Sequence, residues 1–216
     1  MGESSEFVGF LSGVASRLRH DLKGGLITLR MGLEALPDEE ELKPLLVERA
    51  SQLEGLADKL VLLLRMGEMK PEAVRLPALL GEFRRRAADL FPDLQLILPD
   101  DLGSDRSMLD ADAVLYALTE IAENARLAGS DHLTVSGIVS EGLVELALED
   151  NGSGLLESDL ADPLATLSPL GISRWGRSGL GIAIIERCAK GHGGYLALTP
   201  ASEGAGVRLV LRLSPQ

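Results

Sequence analysis

Leu148-Glu149-Asp150-Asn151-Gly152-Ser153-Gly154-Leu155 is the stretch from which the rest of the chain can be read. Val144, Leu146 and Leu148 alternate with Glu145 and Glu149, the period-two pattern of a strand with one buried face. The strand then runs into an acid and two closely spaced glycines, an ending that can aim the Asp150 carboxylate at a ligand. Gly152 and Gly154 lack a Cβ, so the backbone there can adopt positive φ and approach a flat ring closely. Asp-Asn-Gly is also ordinary turn composition, so the reading rests on what accompanies it.

Three further stretches accompany it. Gly176-Arg177-Ser178-Gly179-Leu180-Gly181 is a glycine-rich loop opening a helix whose apolar positions Leu180, Ile184 and Cys188 recur every four residues. Its exposed backbone N–H groups would favour phosphate. Upstream, Leu118-Thr119-Glu120-Ile121-Ala122-Glu123-Asn124-Ala125 reads as a helix that carries Glu120 and Asn124 on one face, four residues apart. Further upstream, Arg19-His20-Asp21-Leu22-Lys23 sits inside a long amphipathic helix.

In this order the four stretches resemble the histidine box, asparagine box and two glycine boxes of two-component sensor histidine kinases, and the resemblance runs from about Phe7 to Leu213. It implies a helical-hairpin dimerisation and histidine phosphotransfer domain (residues 1–68) that pairs into a dimeric four-helix bundle. A catalytic ATP-binding two-layer α/β sandwich of the Bergerat (GHKL) type follows (residues 69–216). It further implies that Asp150 contacts the adenine amine and that Asn124 helps to hold Mg²⁺ on the phosphates. Glu120 stands where many members have another asparagine, and a carboxylate is an equally hard ligand for Mg²⁺. Gly152 and Gly154, with Arg177, Ser178, Gly179, Leu180 and Gly181, complete the implied nucleotide site. The implied partners are a second copy of the chain and a response-regulator receiver domain. Departures from the family pattern are Gly24 and Gly25 after the histidine box, Arg126 displaced beyond the asparagine box, and Leu164 in place of the lid phenylalanine.

Composition narrows the alternatives. At 216 residues, with 45% apolar and 25% charged side chains, the chain can bury a core and hold one large or two small domains. Its formal net charge of −12 would repel nucleic acid and anionic membrane surfaces, and 3% aromatic content provides no stacking platform for single strands. Cys188 alone can form no internal disulfide, which fits a reducing, cytoplasmic setting, and a free cysteine is usually a small buried apolar residue. No apolar run approaches the ~20 residues that span a bilayer, so the expectation is a soluble protein without membrane insertion. With so little chain before His20 no sensor domain is expected there; either the chain is a fragment of a longer sensor or a separate sensor or input protein supplies the signal.

Along the chain, Phe7, Leu11, Val14, Leu18, Leu22, Leu29, Leu33 and Leu36 define one helix stripe. A second helix, from about Asp38 to Met66, carries Leu42, Leu46, Leu53, Leu56, Leu60 and Leu63 in a wider one. Two helices cannot cover so wide a stripe, which points to a homodimer. Gly67 to Pro71 reads as a linker. Pro77 suits the first turn of a helix bearing Leu79, Leu80, Phe83 and Leu90; Arg84, Arg85 and Arg86 are its solvated surface. Strands are expected at Leu94 to Leu98, Leu133 to Val139, Leu143 to Glu149, Tyr195 to Thr199 and Val207 to Leu213, with Asp110 or Asp112 capping the helix of Glu120. Leu155 to Trp175 is long enough for a lid.

His20 carries the chemistry. At 100° per residue it lies about 160° from Leu18, off the apolar stripe and facing water. A neutral imidazole is a nucleophile, and Asp21 beside it can fix its tautomer and accept a proton as the other ring nitrogen attacks phosphorus. His192 suits a helix-ending turn and His132 a strand start, and neither has zinc-ligand spacing. The expected activity is therefore ATP-dependent autophosphorylation of His20 followed by transfer to a receiver aspartate. The alternative is a dimeric phosphotransfer protein whose ATP-binding domain serves only for docking.

Overall fold

A computed structural model of the chain describes residues 25, 28, 31, 45, 46, 55, 59, 62, 63, 69–99, 106–140, 143–154, 180–202 and 206–214. The chain divides into two compact units, one of Met1–Leu62 with Leu164–Leu180, the other of Leu63–Pro163 with Gly181–Gln216. In the first, Gly25, Thr28, Met31, Leu45, Leu46, Gly55, Lys59 and Leu62 are helical, in agreement with the two helices read from the apolar stripes. His20, Asp21, the dimer stripe apart from Leu46 and Leu63, the expected lid and Arg177, Ser178 and Gly179 lie outside the described residues.

The second unit is built on a five-stranded sheet in the order β2-β4-β5-β7-β6, with β2 at Gln95–Ile97, β4 at His132–Ser140, β5 at Leu143–Asp150, β6 at Tyr195–Pro200 and β7 at Val207–Leu213. Only β2 and β4 run parallel; the other neighbours are antiparallel. Five expected strands are thus present within two residues of their expected ends. Two were not foreseen: β1 at Glu72–Arg75 and β3 at Arg106–Leu109 form a separate antiparallel ribbon. Each has only four residues, too few for an alternation to be read, even though that of β3 is regular.

Register places the alternating residues of β5 in cross-strand rows. Val144 opposes Val139 and Leu213, Leu146 opposes Gly137 and Leu211, and Leu148 opposes Val135. Val144, Leu146, Leu148, Leu211 and Leu213 are all buried. The core continues into helix α1, Leu76–Leu90, through Leu79, Leu80, Phe83 and Ala87, and into helix α2, Ala111–Leu127, through Val114, Ala117, Leu118, Ile121 and Ala125. Ile184, Ile185 and Cys188 add the buried stripe of helix α3, Leu180–Gly191. Leu90, read as part of the same helix, is its last residue and is 58% exposed.

The helix ends follow from local chemistry. Pro77 sits in the first turn of α1. Asp110 caps α2 by accepting the Ala113 N–H at 3.0 Å. At the other end of α2, Gly129 takes φ 79°; its N–H bonds Arg126 O and the Ser130 N–H bonds Ala125 O, the paired bonds of a Schellman motif. Helix α3 ends the same way, with Gly193 at φ 70°, its N–H on Lys190 O and that of Gly194 on Ala189 O. His192 therefore occupies the helix-ending turn expected for it.

Candidate nucleotide site

Asp150 is the last residue of β5, half-buried, and its backbone is held between Leu133 of β4 and the start of β7. Removal from water pushes its carboxyl above the ordinary carboxylate value. N–H groups of Gly152 and Val207 partly offset that rise, and the charge of Glu149 adds to it. The Gly152 bond, 2.8 Å to Oδ1, is a two-residue turn that fixes the side chain over the loop. A carboxylate so placed, part-desolvated and held by the Gly152 and Val207 N–H groups, is suited to recognising a donor on a ligand.

The loop after Asp150 is bound to the end of α2. Gly152 is buried, and a Cβ added to it would lie 2.8 Å from Ala128 Cβ and 2.9 Å from Ala128 O; the next N–H, of Ser153, bonds that same carbonyl at 2.9 Å. Gly152 is thus required for close approach, whereas Gly154 is required for its φ of 74°. Asn151, which sequence reasoning passed over as turn filler, ties this loop to the turn before β4. Its Oδ1 accepts from Ser130 Oγ at 2.7 Å, and its Nδ2 donates to Asp131 Oδ1 at 2.8 Å. That bond chiefly holds the Asp131 carboxyl below its ordinary value. No local pattern marks this role, because the partners of Asn151 lie some 20 residues away.

Glu120 and Asn124 do share one face of α2, and the first turn of α3 lies against that face. A Cβ on Gly181 would stand 2.6 Å from Glu120 Oε2 and 3.6 Å from Asn124 Nδ2. Glu120 is 8% exposed, an unusual position for a carboxylate. From Asn124 to Ala128, where the Gly152 loop docks, is one turn of helix, about 6 Å along the axis. The fold therefore gathers Glu120, Asn124, Gly181, Gly152 and Asp150 around the C-terminal half of α2, although they come from three separated stretches. Leu180, buried, opens α3. Lys190 lies at the opposite end of α3 from Gly181, roughly 14 Å along the axis, where it pairs with Glu186 at 2.9 Å.

The donor set suits a hard divalent cation. Glu120 and the Asn124 amide offer two oxygens one helical turn apart, and the space beside Glu120 is kept open by the missing Cβ of Gly181. Neighbouring Glu123 and Asp150 add negative charge that would repel a triphosphate unless a cation screened it. Among the described residues there is no cluster of three or more His, Cys, Asp or Glu that could hold a metal without a ligand's help, and no helix long and apolar enough to cross a membrane. Cys188 is fully buried, and burial pushes its thiol up, as expected of a core residue.

Comparison with known proteins agrees with this geometry. Residues 109–216 match the family described as histidine kinase-, DNA gyrase B- and HSP90-like ATPase. The sensor-type histidine kinase PrrB of Mycobacterium tuberculosis is 30% identical over 205 residues, which is 90% of this chain and 46% of PrrB. The chain thus spans about half the length of the curated relatives it matches. Among solved structures, the ATP-binding domain of M. tuberculosis PrrB is 26% identical with a TM-score of 0.55, covering 68% of this chain and 98% of that domain. Histidine kinase ThkA in complex with the response regulator protein TrrA is 15% identical with a TM-score of 0.71, covering 99% of this chain and 64% of that one.

Proposed function

Because the chain belongs to the family of histidine kinase-, DNA gyrase B- and HSP90-like ATPases, we propose that it is the core of a sensor histidine kinase. It binds Mg·ATP, phosphorylates its own His20, and passes the phosphoryl group to an aspartate on a response-regulator receiver domain. The observation that carries this is the gathering of Glu120, Asn124 and Gly181 on one helix face, with the Asp150 loop fastened one turn away. The names of the similar kinases, and the presence of a response regulator in the ThkA complex, support the partner class.

In this reading Asp150 accepts from the adenine amine, and Gly152 and Gly154 let the ring lie close to the backbone. The loop of Arg177, Ser178, Gly179, Leu180 and Gly181 covers the phosphates. Glu120 and Asn124 hold Mg²⁺, which supplies charge neutralisation on the phosphate oxygens when bound. Asp21 holds the His20 imidazole in one tautomer. The free ring nitrogen forms a bond to the γ-phosphorus, the bond to the β–γ bridging oxygen breaks, ADP leaves, and the ring proton passes to Asp21. Catalysis is then chiefly positioning and charge neutralisation, as phosphoryl transfer requires. The hairpin pairs with that of a second chain through its Leu/Val stripe.

Incubation of the chain with γ-labelled ATP and Mg²⁺ tests the proposal. Label that is lost in acid and kept in base is expected, the signature of a phosphohistidine. Nucleotide binding without label would place the chain among ATP-binding scaffolds. Label accepted only from a phosphorylated partner would make it a phosphotransfer protein.

A further inference from the structure

Asp110 uses its two carboxylate oxygens for two different tasks. Oδ1 accepts the Ala113 N–H and caps α2, while Oδ2 accepts the backbone N–H of Lys70 at 2.9 Å, across 40 residues of chain. Lys70 belongs to the stretch read as the linker between the hairpin and the sandwich. Asp110 is itself fixed from behind: its backbone N–H donates to His192 Nε2 at 2.9 Å, 82 residues away.

His192 is 3% exposed, and both of its ring nitrogens are committed. An N–H can only donate, so Nε2 must be the acceptor, and Nδ1 carries the proton it donates to Cys188 O at 2.7 Å. Beside it, Gly191 leaves room for Met69: a Cβ there would lie within 2.8 Å of Met69 Cγ. The linker residues Met69 and Lys70 are thus seated by a joint made from the N-terminus of α2 and the C-terminus of α3, the two helices that carry Asn124 and Gly181.

We propose that Asp110, backed by His192, is a positioning residue for phosphoryl transfer: it clasps the linker at Lys70 and so fixes where the chain leaves the nucleotide-binding unit toward the hairpin. The inference rests on the kinase reading above, since it concerns alignment of a bound nucleotide with a histidine on the other unit. An exposed backbone bond of this kind contributes little to the stability of the sandwich, but its loss frees the segment that leads from the nucleotide-binding unit toward the hairpin. Misplacement of reacting groups by an ångström can cost up to about 100-fold in rate.

Two variants of the whole chain separate this from a purely structural role. Asp110→Asn keeps an oxygen to cap Ala113, since Asn caps as well as Asp, but turns an amide toward the Lys70 N–H. Lys70→Pro removes that N–H and leaves Asp110 intact. Each should slow labelling by γ-labelled ATP about tenfold or more at saturating nucleotide, with the KM for ATP unchanged and the thermal midpoint moved by no more than about 4 °C. The double variant should be no slower than either single one. Amide exchange should find Lys70 protected in the wild-type chain and unprotected in Asp110→Asn, with Ala113 protected in both. Wild-type rates in both single variants, multiplying effects in the double, or an unprotected Lys70 in the wild-type chain would each overturn the clasp. A wild-type chain that takes no label despite a protected Lys70 would overturn the kinase reading, and the positioning role with it.

Discussion

Gly181 stands so close to Glu120 that a Cβ on the glycine would lie 2.6 Å from the carboxylate oxygen Oε2. A glycine in the first turn of a helix is ordinarily a small liability, costing ~1 kcal/mol relative to alanine. Here it is what allows the first turn of α3 to approach the buried carboxylate of α2.

Gly181→Ala should therefore act on the site rather than on the fold. The added methyl must push Glu120 aside. We expect Mg·ATP affinity to fall by about tenfold or more, the loss of roughly one charge-assisted contact, while affinity for nucleotide in the absence of Mg²⁺ changes little. Calorimetric titration with and without Mg²⁺ checks this, and equal losses under both conditions would remove Glu120 from the metal site.

Asp150→Asn should separate binding from stability. Burial holds the Asp150 carboxyl above its ordinary value of 3.8, so folding disfavours the ionised form. The favourable contribution of Asp150 is fully present below that ordinary value and is lost as pH rises through the raised folded value. Relative to wild type, Asp150→Asn should gain thermal stability as pH rises from about 3.8 upward, reaching a plateau above the folded value. Nucleotide affinity should fall by about 10- to 100-fold, the usual worth of a hydrogen bond to a charged group. Thermal unfolding from pH 3 to 7 and nucleotide titration at neutral pH are the measurements, and a stability difference that does not change with pH would contradict the electrostatic account.

Three glycine-to-alanine substitutions should differ in sign or size for geometric reasons alone. At Gly81, in α1, an added Cβ meets nothing within 4 Å, so alanine should stabilise by about 0.5–1 kcal/mol. At Gly206 and Gly194 it would lie 1.7 Å from Asp150 O and 1.8 Å from Arg212 O. Both are backbone atoms within the sheet, so alanine at either should cost about 3 kcal/mol or more. Urea midpoints order the three, and an unperturbed Gly206→Ala would mean that β7 enters the sheet by another path.

His20→Gln should abolish labelling and leave nucleotide affinity unchanged, because Glu120, Asn124, Asp150 and Gly152 belong to the other unit. Asp21→Asn keeps the shape but loses the proton acceptor, so autophosphorylation should slow by roughly 10² to 10⁴. Stopped labelling reactions on both variants decide it; wild-type labelling of His20→Gln would place the acceptor elsewhere.

Much of this was legible in the chain because the signals are local. The alternation of Val144, Leu146 and Leu148 fixes which side of β5 is buried. Spacing of four puts Glu120 and Asn124 on one face, and Asp110 ahead of an apolar period caps a helix. Each depends on residues within a turn or a few pleats of one another, and backbone periodicity is a property of such windows. The glycines, too, were marked as special, and the positive φ expected there is found at Gly154; that Gly152 has Ala128 across from it and Gly181 has Glu120 was not legible.

What only the tertiary structure decided are the relations between distant stretches. Asp110 caps its own helix by a rule of sequence, yet nothing near it announces Lys70 on its other oxygen or His192 on its N–H, 40 and 82 residues away. Asn151 reads as a turn residue until Ser130 and Asp131 are seen beside it. The β1–β3 ribbon pairs two four-residue strands too short to leave a period. Hydrogen bonds and close approaches of this kind depend on where the folded layers bring separate segments, and a window of sequence encodes the tendency of a segment to form an element but not the neighbour that the packed core will place against it.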